Sequence, residues 1–133
     1  MKKGDDCISV HIPRGTNLSD EVCENSYRMA KDFFKKYFEI GSGAFHCHSW
    51  LLHPWISEEM PDTSNLVKFQ KKYSLYSISE NKEEPLNYVF PDSYKKGDVS
   101  CDSYPIKTSL QRVLKYRLDN NLPVGMGKGV RFL

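Results

Sequence analysis

A short apolar run, Ala44-Phe-His-Cys-His-Ser-Trp-Leu-Leu52, sits between Gly43 and Pro54. It is too short for a long helix, and both neighbours break regular structure. The spacing predicts a central strand over 44–52. Side chains alternate along a strand, so Phe45, Cys47, Ser49 and Leu51 are expected on one face. His46, His48, Trp50 and Leu52 are expected on the other. On that reading His48 and Ser49 cannot serve one substrate together.

Around this strand the pattern alternates between periods of two and 3.6. Residues 7–12 alternate and are β-rich, which predicts a strand. Pro13 to Leu18 is a turn, since proline cannot extend a ladder and glycine admits unusual dihedrals. A helix is predicted over 19–38. Ser19 is its N-cap, and Asp20 and Glu21 complement the positive end of its dipole. Val22, Met29, Ala30, Phe33, Phe34, Tyr37 and Phe38 form an apolar face that is expected to pack on the sheet or another helix. A single helical turn fits 54–61, and a helix fits 64–73. A strand fits 74–79, a polar connection 80–84 and a short apolar turn 86–90. Residues 91–107 form the longest irregular stretch. Thr108-Ser-Leu-Gln111 is a capping box, opening a helix over 108–119. Residues 124–132 read as a glycine-interrupted strand. The order β-α-β-α-β-α-β predicts one α/β (α+β) domain over 1–133. Its mixed sheet would hold four to five strands, with substantial parallel pairing and helices on its faces.

Composition removes several function classes. The formal charge is +2, from 19 basic and 17 acidic residues, and counterion release on nucleic acid needs a clustered positive face. No run of 18 apolar residues is present, so no membrane span is expected. The charged opening Met1-Lys-Lys-Gly-Asp-Asp6 lacks the apolar core of a signal peptide. The expectation is a cytoplasmic protein whose four cysteines (Cys7, Cys23, Cys47, Cys101) are free thiols.

Several segments resemble the C-terminal domain of GNAT-like acyltransferases. They are His11-Ile-Pro-Arg-Gly-Thr-Asn-Leu18, Phe45-His-Cys-His-Ser-Trp-Leu-Leu-His-Pro54, Ser64-Asn-Leu-Val-Lys-Phe-Gln70, Thr108-Ser-Leu-Gln-Arg112, and Gly125, Gly127 and Gly129. Together they cover nearly the whole chain. The resemblance implies an N-acyltransferase domain that moves an acyl group from acetyl-CoA or another acyl-CoA to an amine by direct attack. It also implies a preceding N-terminal acyltransferase domain, in the same or another chain, as a partner; a homodimer is also open. The coenzyme pyrophosphate would meet the turn after the first strand and the start of helix 19–38. There Arg14, Gly15, Thr16 and Asn17 are the cofactor-binding candidates. This turn carries one glycine where the family pattern carries two glycine or alanine positions. A second reading is therefore a non-catalytic module that completes or regulates a partner acyltransferase domain.

Acyl transfer to an amine needs a base, a carbonyl-polarising donor and an acid for the leaving thiolate. His11, Tyr73 and Ser49 are the catalytic candidates, His11 as the base and Tyr73 as the acid. His48, Trp50 and Gln70 are the substrate-binding candidates. Each has a structural alternative: His11 as a hydrogen-bonded scaffold residue, Trp50 as core, and Cys47 as a small buried hydrophobe rather than a nucleophile. His46-x-His48 with His53 nearby is compatible with a shared zinc ion. No Cys-x-x-Cys or His-Glu-x-x-His accompanies it, and no metal is expected. Gly125-Met-Gly-Lys-Gly129 follows a helix and enters a strand, the reverse of a phosphate loop, so close backbone packing is its expected role.

Overall fold

The computed structural model describes residues 6–13, 16–41 and 43–133. Among the described residues there are four strands: β1 (Ile8–Val10), β2 (Ala44–Ser49), β3 (Ser74–Glu80) and β4 (Gly125–Phe132). Five helices accompany them: α1 (Asp20–Phe38), α2 (Trp55–Glu59), α3 (Asn65–Lys71), α4 (Glu83–Val89) and α5 (Ser109–Asp119). The sheet order is β1-β2-β4-β3. Only β1 and β2 pair in parallel, while β4 runs antiparallel to both β2 and β3. The expected parallel character is therefore corrected. β1, β2 and β3 do share one direction, as helical crossovers require. However, β4 inserts between β2 and β3 and replaces the parallel contact between them.

The glycines of β4 make that insertion fit. A Cβ on Gly127 would lie 2.7 Å from the Leu52 carbonyl oxygen, closer than any side chain tolerates. The backbone of β4 thus packs against the turn that leaves β2, as the close-packing expectation required.

The predicted strand 44–52 ends early. Past Ser49 the chain winds into one 3-10 turn, Trp50–Leu52. Ser49 Oγ accepts the Leu51 N–H at 3.1 Å. Gln70 Nε2 then donates to the Leu51 and His53 carbonyls at 3.0 and 2.8 Å. These bonds satisfy backbone groups that a ladder would otherwise have used.

Two apolar cores follow. One joins β1, β2 and α1 through Ile8, Phe45, Cys47, Tyr27, Phe69 and Tyr73. The other lies beneath α2, α4 and α5, built on Trp55, Ile56, Val67, Leu86, Phe90, Cys101 and Leu114. Trp50 and Leu66 pack on both. The face of α1 that packs is Cys23, Tyr27, Ala30 and Phe34. Val22, Met29, Phe33, Tyr37 and Phe38 remain exposed, contrary to the expectation from periodicity. The helix carries two apolar stripes, and the sheet covers one.

Helix starts largely follow the sequence signals. Thr108 and Gln111 form the reciprocal capping box. Ser64 caps α3 through the Leu66 N–H at 3.2 Å. Ser19 precedes α1 without a side-chain cap bond. The polar connection and apolar turn expected over 80–90 are instead the helix α4.

Candidate active site

The register of β1 and β2 covers only Ile8–Val10 against Phe45–Cys47. Immediately beyond it lies a cavity of about 380 Å³. One wall is Val10, His11, Ile12, Pro13, Thr16 and Leu18. The facing wall is Cys47, His48, Ser49, Trp50 and Leu51. Leu66 of α3, Glu84 and Tyr88 of α4, Pro91 and Met126 close it. Most of this lining is apolar, with a few polar groups converging on it, the usual make-up of a ligand site.

Five sequence-predicted residues meet here: His11, Thr16, His48, Ser49 and Trp50. His48 and Ser49 border the same cavity despite their alternation. Strand geometry ends at Ser49, so the opposite-faces argument does not hold at this end of β2. Ser49 Oγ is engaged with the Leu51 N–H. Thr16 Oγ1 donates to the Pro13 carbonyl at 2.5 Å, which closes the turn. Trp50 stacks on Trp55 with ring centres 6.1 Å apart and lies 6.0 Å from the Tyr88 ring.

Other candidates lie elsewhere. Asn17 Oδ1 accepts the Ser19 N–H at 2.9 Å, which organises the approach to α1. Gln70 holds the 3-10 turn from behind. Tyr73 is buried, and its hydroxyl is 2.6 Å from that of Tyr27. Burial and the Tyr27 hydrogen bond hold its phenol well above the usual tyrosine range. Neither Asn17, Gln70 nor Tyr73 borders the cavity. Arg14 and Gly15 lie outside the described residues.

Burial pushes the Cys47 thiol up to about 12, so at neutral pH it stays protonated and non-nucleophilic. The histidines weighed for zinc are dispersed into separate bonds. His46 Nε2 is 2.6 Å from the Tyr76 hydroxyl. His53 is buried, and its Nδ1 accepts the Trp55 N–H at 3.1 Å. Among the described residues no three His, Cys, Asp or Glu side chains converge as a metal site.

Glu84 and Tyr88 also line the cavity, and the sequence reading gives them no role because it expects a polar connection over 80–84 and a short apolar turn over 86–90. The signal was present: two acidic residues, Glu83 and Glu84, then Pro85 in the first turn are what a helix start favours.

The acidic start of α1 has its own counter-ions. Lys72 Nζ bonds Asp20, and it reaches Glu24 at 2.5 Å. Arg131 grips Glu24 with both guanidinium nitrogens, at 2.7 and 2.9 Å, and lies over the Tyr27 ring. The Arg131 hydrogen bond, with Lys72 adding, holds the Glu24 carboxyl at about 2.

The family match covers residues 1–131, nearly the whole chain, and is to the GNAT-like C-terminal domain. This chain belongs to the GNAT-like C-terminal domain family. Solved structures agree on the fold. An acyltransferase in complex with decanoyl-CoA superposes with a TM-score of 0.85 at 23% identity. An acyltransferase bound to CoA and 10C-teicoplanin gives 0.84 at 23%, and one bound to decanoyl-CoA and teicoplanin gives 0.84 at 24%. Each match covers 100% of this chain and 42% of the other. A search of curated proteins finds no match. No described helix of this GNAT-like domain is long and apolar enough to cross a membrane.

Proposed function

We propose that this GNAT-like domain is an acyl-CoA-dependent N-acyltransferase module that transfers an acyl group to an amine by direct attack. The supporting observation is the cavity that opens where β1 and β2 stop pairing. The chain's fold neighbours hold decanoyl-CoA, CoA and teicoplanin. By that likeness the donor here is an acyl-CoA, and its thioester end enters between the two strands.

In this reading Ile12, Leu18, Trp50, Leu66 and Met126 exclude water and hold the acyl chain. The coenzyme phosphates meet the segment from Thr16 to the start of α1. Lys72 at Asp20 reduces the repulsion that a phosphate would meet there. His11 and His48 approach from opposite walls, and Glu84 stands on a third. A neutral imidazole takes the proton from the attacking ammonium. Nitrogen then bonds to the thioester carbon. The C–S bond breaks, the nitrogen sheds its second proton, and the leaving thiolate takes up a proton to depart as coenzyme A thiol.

A second reading is an accessory module that serves a partner acyltransferase domain. It is favoured by the 42% span of the matched acyltransferases. Calorimetric titration of this chain with acetyl-CoA and decanoyl-CoA separates the two. Saturable micromolar binding, weakened by Trp50→Ala, supports the enzyme reading. No binding by this chain rules out a stand-alone enzyme and leaves the accessory role.

A further inference from the structure

The uncovered stripe of α1 is organised along its length. Val22, Met29, Phe33 and Tyr37 are all exposed, the last three at 64%, 50% and 61%. At 3.6 residues per turn they fall within about 80° of arc. They extend over most of a helix about 28 Å long, at 1.5 Å per residue. Phe33 contacts the Phe34, Tyr37 and Phe38 rings at 5.4, 5.0 and 6.0 Å, so the patch is continuous over its C-terminal half. Monomeric proteins seldom leave so contiguous an apolar patch exposed.

The stripe is also partly symmetric in sequence. Reversing it about the midpoint between Met29 and Ala30 exchanges Val22 with Tyr37, sets Phe33 against the small Ser26 and brings the two Met29 positions together. A charged flank lies beside it, composed of Glu21, Arg28, Asp32 and Lys36, all exposed. Among the described residues none of the four enters an ion pair within the chain. Their signs run minus, plus, minus, plus, so antiparallel reversal near residue 29 sets each charge within about one helical turn of its complement. Glu21 meets Lys36 of the second copy, and Arg28 meets Asp32 of the second copy. An antiparallel pair places the same flank of each helix together, so one sequence satisfies both sides, as a two-fold interface requires.

We propose that α1 is a homodimer interface, in which the exposed stripe packs antiparallel on α1 of a second copy across a two-fold axis near Met29. None of the stripe residues Val22, Met29, Phe33 and Tyr37 lines the cavity between β1 and β2, so the contact does not require the acyltransfer reading.

Sedimentation of the full chain from about 1 to 200 µM tests it, a range that spans helix-pair interfaces of modest affinity. The expected result is a species of twice the chain mass at high concentration. Met29→Glu and Phe33→Glu should each give monomer with unchanged far-UV circular dichroism, since both side chains project into solvent. Lys36→Glu should weaken the dimer at least about tenfold, since the two-fold axis repeats the mispaired charge on both sides. Adding Glu21→Lys should restore it, because the pair is then re-formed with reversed signs. Monomer at every concentration overturns the proposal, including the case in which a separately produced N-terminal acyltransferase domain covers α1. A dimer that survives both glutamate substitutions overturns it as well, since the contact then lies elsewhere.

Discussion

Glu24 shows how a single side chain can tie a helix start to the sheet. It accepts from Arg131 and Lys72, and through Lys72 it is linked to Asp20 at the start of α1. Its folded pKa lies below the ordinary glutamate value, so its contribution to stability is complete above about 4.5. It is lost as pH falls toward about 2. Denaturant midpoints should therefore drop between pH 4.5 and 2.5, and Glu24→Gln should flatten that limb. At neutral pH the substitution should cost roughly 1–3 kcal/mol, allowing for partial solvent screening. An acid limb unchanged in the variant would show that other carboxylates carry it. Cys47 gives a second test at this scale. Its buried, protonated thiol should resist iodoacetamide in the native protein at pH 7.5, while exposed Cys7 reacts. Rapid native labelling at Cys47 would mean that the cavity breathes enough to admit the reagent. At the proposed catalytic positions, His11→Ala and His48→Ala separate base from wall. The base should lose 10²- to 10⁴-fold in kcat with KM nearly constant. Equal, small losses in both would move the role to Glu84.

At the scale of elements, legibility followed how local each signal was. Helix α5 was readable nearly to the residue, because Thr108 and Gln111 are three positions apart and close their own box. Thr108→Ala should cost about 1 kcal/mol in urea denaturation, and an unchanged midpoint would place the cap's value in Gln111 alone. Helix α4 was not readable by the same means. Its cap position is Lys82, which makes no side-chain cap bond, and Asn81 serves instead through the Glu84 N–H. With α4 went two of the cavity's residues. The central strand was legible in its buried positions Phe45 and Cys47 but not in its end. The 3-10 turn at Trp50 depends on Gln70, 19 residues away from Leu51. The packing face of α1 was ambiguous in principle, since two apolar stripes share one helix and only the sheet selects between them. The insertion of β4 was likewise invisible, since strand order is decided by long-range contacts such as Gly127 against Leu52.

At the scale of the whole molecule, the two apolar cores meet through very little. Trp50 and Leu66 are packed on both, and Trp50 also borders the cavity. On the proposed function, that position would couple ligand binding to cohesion between the α1 core and the α4–α5 core. The wild-type chain should unfold in one transition, with far-UV circular dichroism and tryptophan fluorescence coincident. Leu66→Ala should lower the midpoint by about 2–3 kcal/mol and keep the transitions together, because Trp50 still bridges. Trp50→Ala removes the larger bridge and the Trp55 and Tyr88 stacking. There the α1 core should melt before the α4–α5 core, and Trp55 fluorescence should report the later step. If acyl-CoA binds in the cavity, saturating decanoyl-CoA should raise the wild-type midpoint, by about 2.7 kcal/mol at a hundredfold excess over Kd. The same ligand should leave the Trp50→Ala midpoint nearly unmoved. A ligand shift that survives Trp50→Ala would place the acyl chain away from this wall. A single sharp transition in that variant would show that the sheet itself, through β4, holds the two cores together.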